Sequence, residues 1–95
     1  MVFQQGETVV VLTYLYLYNT EVLTDATTVV IEIDKPDGTE ELAEIAMTHV
    51  STGIYTYNHN TSATGDLGIY SVKITATSGT VVTIMNDNYK LVEAI

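Results

Sequence analysis

Two stretches of the chain alternate apolar and polar side chains with a period of two residues. They are TVVIEID, residues 28–34, and GIYSVKITAT, residues 68–77. Successive side chains of a strand point to opposite faces, so this period is typical of half-buried β-strands and not of helices. We therefore predict an all-β fold. The predicted core consists of Val11, Ile31, Ile33, Tyr55, Tyr70, Val72 and Ile74.

Turn signals separate the predicted strands at short intervals. KPDGTE, residues 35–40, combines a proline with Asp-Gly and predicts a tight connection. TSGT, residues 77–80, predicts a hairpin turn, and the polar stretch 58–68 predicts the longest loop. With a short strand near Phe3, the count is about seven strands. Their spacing is typical of a single antiparallel β-sandwich domain that spans residues 1–95.

One segment, EELAEIAMTHV at residues 40–50, fits two structures. Leu42, Ile45 and Ala46 are spaced for a helical stripe, and the segment is rich in helix formers. It also alternates in part as a strand. The hairpin-type turn before it and the strand pattern after it favour a strand.

Charge and composition exclude several classes of partner. The net charge is −9, and the only cations besides histidine are Lys35, Lys73 and Lys90. Three scattered lysines cannot form the cationic cluster that nucleic acid or an anionic membrane requires. The N-terminal MVFQQGET has neither the basic nor the apolar region of a signal peptide, and no apolar run reaches the length of a membrane span. We expect either a protein assembled in the cytoplasm or a domain of a longer exported chain.

The sequence offers no recognisable catalytic or metal-binding motif. His49 and His59 lie ten residues apart without a ligand spacing, and there is no cysteine. The carboxylates show no calcium-loop spacing and no pairing of the kind that glycoside hydrolysis needs. We predict a protein that is not an enzyme and that has no metal or cofactor. The histidines are interpreted as ordinary surface or edge residues.

The stretch GETVVVLTYLYLYNTEV, residues 6–22, breaks the alternation. Between Val9 and Tyr18 its only conventional polar residue is Thr13, so both faces of the predicted strand are apolar. The face predicted to point inward consists of Val9, Val11, Thr13, Leu15 and Leu17. The face predicted to point outward and meet another protein chain consists of Val10, Leu12, Tyr14, Tyr16 and Tyr18.

Three other interpretations of this stretch stay open. A bulge near Thr13 would exchange the two faces. A loop could pack over the outer face, or the tyrosines could be exposed simply because they favour strands. Burial against a partner is the interpretation we favour, because tyrosine is enriched in interfaces and a long apolar stripe is a liability on a monomer.

The order of these signals resembles a known family. GETV opens a strand, DATTVVIEIDKPDGT follows, and two G-x-Y elements, Gly53 to Tyr55 and Gly68 to Tyr70, come later. Over residues 3–92 this is similar to the immunoglobulin-like domains of prokaryotic surface proteins and to macroglobulin-type repeats. The resemblance implies an immunoglobulin-like β-sandwich in which these tyrosines bury their rings and send their hydroxyls to backbone acceptors. It implies binding, spacing and adhesion rather than catalysis.

These observations lead to competing functional hypotheses. The first is a small virion component, a decoration, head–tail or tail accessory protein of a tailed bacterial or archaeal virus. The alternative is an adhesion or spacer module excised from a prokaryotic cell-surface protein. A binder of small ligands or carbohydrates is a third hypothesis, against which the absence of tryptophan counts. The expected partners are other protein chains, either further copies of this chain or virion proteins.

Overall fold

The structure, a computed structural model, describes residues 1–17 and 20–95. These residues form an all-β fold. The strands are β1 Val2–Gln4, β2 Thr8–Tyr14, β3 Thr28–Asp34, β4 Glu40–Ala46, β5 Thr48–Ser51, β6 Ile54–Asn60, β7 Gly68–Ser78 and β8 Val81–Val92.

The strands form two sheets. The five-stranded sheet has the order β1-β8-β7-β3-β4, and the three-stranded sheet has the order β2-β6-β5. Every neighbouring pair is antiparallel except β1 and β8, which run parallel. The prediction of a purely antiparallel fold is therefore wrong at this pair. The alternation of apolar and polar residues in a three-residue strand does not indicate which strand it pairs with.

A single apolar core lies between the two sheets, as in a β-sandwich. Its buried members are Val9, Val29, Ile31, Ile33, Met47, Tyr55, Tyr70, Val72, Ile74, Ala76, Tyr89 and Leu91. Six of the seven predicted core residues are among them. The exception is Val11, which is half-buried and packs against this core. Burying these side chains on folding is the main favourable contribution to stability.

The ambiguous segment 40–50 is strand, but it forms two strands in different sheets. β4 pairs with β3 in one sheet and β5 pairs with β6 in the other. Met47 lies between them with its side chain in the core, and its N–H donates to Val29 O at 2.9 Å. The described residues therefore contain eight strands rather than about seven, because the chain crosses between sheets at Met47.

The predicted turns are confirmed, with one change of boundary. In the 35–40 turn the Gly38 N–H donates to Lys35 O at 2.9 Å, and the ladder of β7 and β8 closes on Ser78 and Val81. Of the 58–68 stretch only residues 61–67 are loop, because β6 continues to Asn60 and β7 begins at Gly68.

Two stacked tyrosines mark the core. The rings of Tyr70 and Tyr89 lie 5.0 Å apart with 9° between their planes. The Tyr70 hydroxyl donates to Asp66 O at 2.7 Å, whereas no described residue hydrogen-bonds to the buried Tyr89 hydroxyl. Burial raises the pKa of both hydroxyls. Tyr55 is also buried, and the Ala26 N–H donates to its hydroxyl oxygen at 3.3 Å.

Candidate interaction surface

The outer face of β2 carries three of the five residues predicted to meet a partner. Val10, Leu12 and Tyr14 are each 48–56% exposed. Val9 and Thr13 are buried, so alternation along the strand directs Val10, Leu12 and Tyr14 outward. All seven residues of β2 pair with β6 without a shift in register. No bulge therefore exchanges the two faces.

Beyond Tyr14 the chain leaves the sheet. The Leu15 N–H donates to Gly53 O at 2.8 Å, and Tyr16 forms an isolated bridge with Leu23. Tyr16 is 52% exposed, although it lies beyond the end of β2. Leu17 was predicted to point inward, and this is wrong: its side chain is mostly exposed, because the strand ends before it. Tyr18 lies outside the described residues.

We call Val10, Leu12, Tyr14 and Tyr16 the β2 face. Residues directly opposite each other in an antiparallel pair lie on the same side of the sheet, which gives this surface its neighbours. Ile54 lies opposite Tyr14, and Asn58 lies opposite Val10. The exposed apolar row therefore has a half-buried isoleucine at one end and a polar amide at the other.

Gly53 fixes the point where β2 ends. Its φ is +71°, in the left-handed region that favours glycine. A Cβ at this position would lie 2.8 Å from both Leu15 O and Thr24 N. The strand end and the segment that returns from it therefore pack directly against the Gly53 backbone, and only glycine permits this approach.

Asp25 binds the Gly53 backbone from the surface side. Its Oδ1 accepts the Gly53 N–H at 2.7 Å and lies 3.0 Å from His49 Nε2. The Gly53 N–H, followed by His49, holds the pKa of the Asp25 carboxyl below its ordinary value. About half of the Asp25 and His49 side chains remains exposed. The pair borders an open cleft between β3 and β5 of about 420 Å³.

The second histidine is not a surface residue. His59 points into the sandwich from β6, and its Nε2 lies 3.2 Å from Glu41 Oε2 of β4 in the other sheet. Both side chains are less than a fifth exposed. The pair links the two sheets. The sequence signal for the inward position of His59 is its alternation with Tyr55 and Tyr57 along β6, but that alternation does not identify Glu41 as its partner.

The described residues contain no group of three His, Cys, Asp or Glu side chains arranged to hold a metal ion. The absence of catalysis and of a cofactor remains a prediction. In the part of the chain that the structure describes, no helix has the length and apolar character needed to cross a bilayer.

A second exposed apolar surface lies on the β7–β8 hairpin, and sequence reasoning missed it. Val82 and Ile84 face outward from the five-stranded sheet, opposite Thr77 and Thr75. They are 56% and 53% exposed, the same fractions as Val10 and Leu12. The signal was the apolar run VVTIM at residues 81–85, which is apolar on both faces like β2.

Comparison with solved structures shows a similarity that concerns the fold. No protein-family model matches the chain, and no curated protein matches it in sequence. The chain is similar to part of a solved structure, the endo-beta-1,4-mannanase from Thermotoga petrophila, with a TM-score of 0.68 and 13% sequence identity. The similarity covers 96% of this chain and 17% of the mannanase chain.

The predicted virion component is therefore wrong. The structural similarity is to a minor part of a mannanase, and nothing in the described residues or in the comparisons supports a virion protein. The error has a physical origin. An exposed apolar strand face indicates contact with another molecule, but it does not indicate to which assembly that molecule belongs.

Proposed function

We propose that this chain is a non-catalytic immunoglobulin-like module, which serves as an accessory domain and docks on another protein domain through the β2 face. The partner domain would present an apolar patch. Because this chain carries a net charge of −9, the polar rim of that patch would be basic.

Two observations support the immunoglobulin-like assignment. The first is a three-stranded sheet packed on a five-stranded sheet, with the N-terminal strand joined to the last strand. The second is Tyr70 near the start of β7, whose hydroxyl bonds to the backbone of Asp66 four residues upstream. That contact has the geometry of the tyrosine corner found in immunoglobulin-like sandwiches.

The comparison supports an accessory role. Nearly all of this chain corresponds in fold to about a sixth of the mannanase chain, so the same architecture occurs there as one part of a larger protein. A module of this size has room for one core, which the described residues fill with apolar side chains from both sheets.

The observation that carries the proposal is the β2 face. Val10, Leu12 and Tyr14 are about half exposed although β2 is regular and well paired, and Tyr16 just beyond the strand is exposed to the same extent. A fully buried aromatic side chain removes about 150–250 Å² from solvent. Because about half of each of the four residues is exposed, together they offer roughly 400 Å² of surface that a partner would cover. That is about half of what one side of a standard interface needs, which is ~800 Å². Neighbours such as Ile54 would supply part of the remainder.

A matched pair of double variants tests the proposal. V10T/L12T removes apolar area from the β2 face, whereas V82T/I84T removes it from side chains of equal exposure on the other sheet. Both variants should fold, because threonine suits strands and none of the four side chains is in the core. Affinity capture from the native source, read by mass spectrometry, should recover the same partner with wild type and V82T/I84T and lose it with V10T/L12T. Equal recovery by both variants would refute docking through this face.

A second candidate, glycan binding on the same face, is favoured by one feature. Tyr14 and Tyr16 expose aromatic rings on which a pyranose ring can pack, and Asn58 lies on that side with an amide able to hydrogen-bond hydroxyls. The similar structure is that of an endo-beta-1,4-mannanase. Titration calorimetry with soluble β-1,4-mannan tests this. Binding lost in Tyr14→Ala would support the glycan, and no heat at millimolar mannan would exclude it.

A further inference from the structure

The outer edge of β2 is the second unoccupied surface of this strand, and it is distinct from the β2 face. In an antiparallel strand the N–H and C=O of one residue point to the same side, and successive residues alternate. Val11 O accepts the Thr56 hydroxyl of β6 at 3.1 Å, and the Leu15 N–H donates to Gly53 O. The odd-numbered residues therefore bond towards β6. The backbone groups of Val10, Leu12 and Tyr14 point away from it, and no described residue hydrogen-bonds to them there.

Among the described residues, the other edge strands β1, β5 and β4 are short, bulged or charged. β8 also lacks a neighbour on one side before Lys90, where it carries Asp87. β1 has three residues, and β5 has four with a shift in register. β4 has seven residues, but it carries Glu40, Glu41 and Glu44 and shifts register twice against β3. Short length, bulges and charge are the features by which proteins prevent edge strands from pairing with other chains.

β2 has none of these features. Its seven residues stay in register with β6 throughout, and they include no charge, proline or glycine. The uncharged stretch extends from Thr8 to Thr20, between Glu7 and Glu21. In a chain with a net charge of −9, copies repel one another over most of the surface, and this strand adds no charge of its own to that repulsion.

We propose that β2 pairs antiparallel with β2 of a second copy, so that the two three-stranded sheets join into one six-stranded sheet across a twofold axis. With Val11 on the axis, Val10 lies opposite Leu12 and Thr8 lies opposite Tyr14 of the other copy. Each of these residues directs its N–H and C=O at its partner. Glu7 then lies opposite Leu15, so no two carboxylates face each other.

Twofold pairing suits this strand because the interface must be complementary to itself. The apolar side chains of the β2 face become cross-strand neighbours between copies, and pairs of β-branched or aromatic residues stabilise sheets. Only one strand from each copy takes part, so the contact is at the small end of protein interfaces. The dimer therefore forms in a concentration-dependent way. The inference goes beyond the proposed function, since it uses the edge of the strand and leaves the outer face accessible.

Leu12→Pro tests the pairing. Leu12 directs its N–H at the open edge, so proline there removes a dimer hydrogen bond and leaves the bonds to β6 in place. Leu12→Thr is the matched control, because it loses the same apolar side chain and keeps the N–H. Sedimentation equilibrium should give wild type and Leu12→Thr masses that rise with concentration towards twice the 10.4 kDa of one chain. Leu12→Pro should stay at 10.4 kDa, and Val10→Pro, on the same edge, replaces it if the first variant folds poorly.

Amide hydrogen exchange identifies the contact. Exchange at Val10, Leu12 and Tyr14 should slow at least tenfold between dilute and concentrated wild type, while amides of the β4 edge do not change. A wild type that stays monomeric at millimolar concentration overturns the proposal. So does a dimer in which these three amides remain unprotected, since it would pair through faces. V10T/L12T keeps every N–H of the edge, so it should still form the dimer while it loses the docking partner. That result separates failure of this proposal from failure of the proposed function.

Discussion

β2 and β4 are both seven residues long and both lie at the edge of a sheet, yet their sequences are opposite in character. β4 carries three glutamates and shifts register twice against its neighbour. β2 has no charge, keeps an unbroken register, and exposes apolar side chains. The contrast indicates that acidity in this chain is placed to keep certain edges apart. Of these two strands, β2 is the one without acidic residues, and it is the one that we propose for contact.

The largest expected effect is the difference in stability between truncating a core residue that pairs with β4 and truncating an exposed residue of β4 itself. Ile33 is fully buried and pairs with Leu42 of β4. Ile33→Ala should lower the free energy of unfolding of the protein by about 2–5 kcal/mol. Ile45 on β4 is 44% exposed, so Ile45→Ala should cost about 1 kcal/mol. Urea unfolding of both variants measures the difference. Equal losses would mean that β4 itself is an essential part of the core.

The next effect compares the glycines beside the two strands. Gly53 and Gly38 both have positive φ, but a Cβ would meet close backbone atoms only at Gly53, which holds the end of β2. Gly38→Ala should cost about 1–2 kcal/mol from the left-handed backbone alone. Gly53→Ala should cost about 3 kcal/mol, since overpacking is added. Unfolding midpoints in urea report both, and a Gly38 cost equal to that of Gly53 would show that the close packing at the β2 end is unimportant.

A smaller effect concerns the core beneath β2. Tyr89 lines a cavity of about 70 Å³ beside Val9 and Val11, and its hydroxyl has no partner among the described residues. Tyr89→Phe should therefore leave stability unchanged or raise it slightly. Tyr70→Phe should lose about 1 kcal/mol, because it removes the hydrogen bond to Asp66 O. Thermal unfolding compares the two. A loss at Tyr89 as large as that at Tyr70 would reveal a partner for its hydroxyl.

The smallest effect is a dependence on pH. Hydrogen bonds hold the carboxyl pKa below the ordinary 3.8 both at Asp25, chiefly from the Gly53 N–H, and at Asp37 before β4, chiefly from the Thr39 hydroxyl. A lowered pKa contributes stability that is complete above 3.8 and is lost as pH falls through the folded-state value. The stability gap between wild type and Asp25→Asn, or Asp37→Asn, should therefore narrow between pH 5 and about pH 2. If urea titrations give a difference in unfolding free energy that stays constant from pH 5 to about pH 2, these carboxylates do not have this role.

The sequence predicted the fold class and the outward face of β2 for the same reason. Alternation assigns side chains to faces, and a strand with two apolar faces must expose one when there is a single core. Leu17 was misassigned because the end of β2 is set by its contact with Gly53, which is distant in sequence. Nor could alternation show that β2 lies at an edge, or that His59 meets Glu41, since both depend on which strands become neighbours.

The parallel pairing of β1 and β8 gives the module a mechanical property. The Lys90 N–H donates to Met1 O and the Gln5 N–H donates to Val92 O, with the strand ladder between them. Tension applied to the chain before β1 and after β8 pulls the two strands in opposite directions along their length. Every bond between them is then loaded in shear at once, rather than opening one by one from an end. Linked in series with other domains, the module would transmit a pull along the chain through this pair before its core is disturbed.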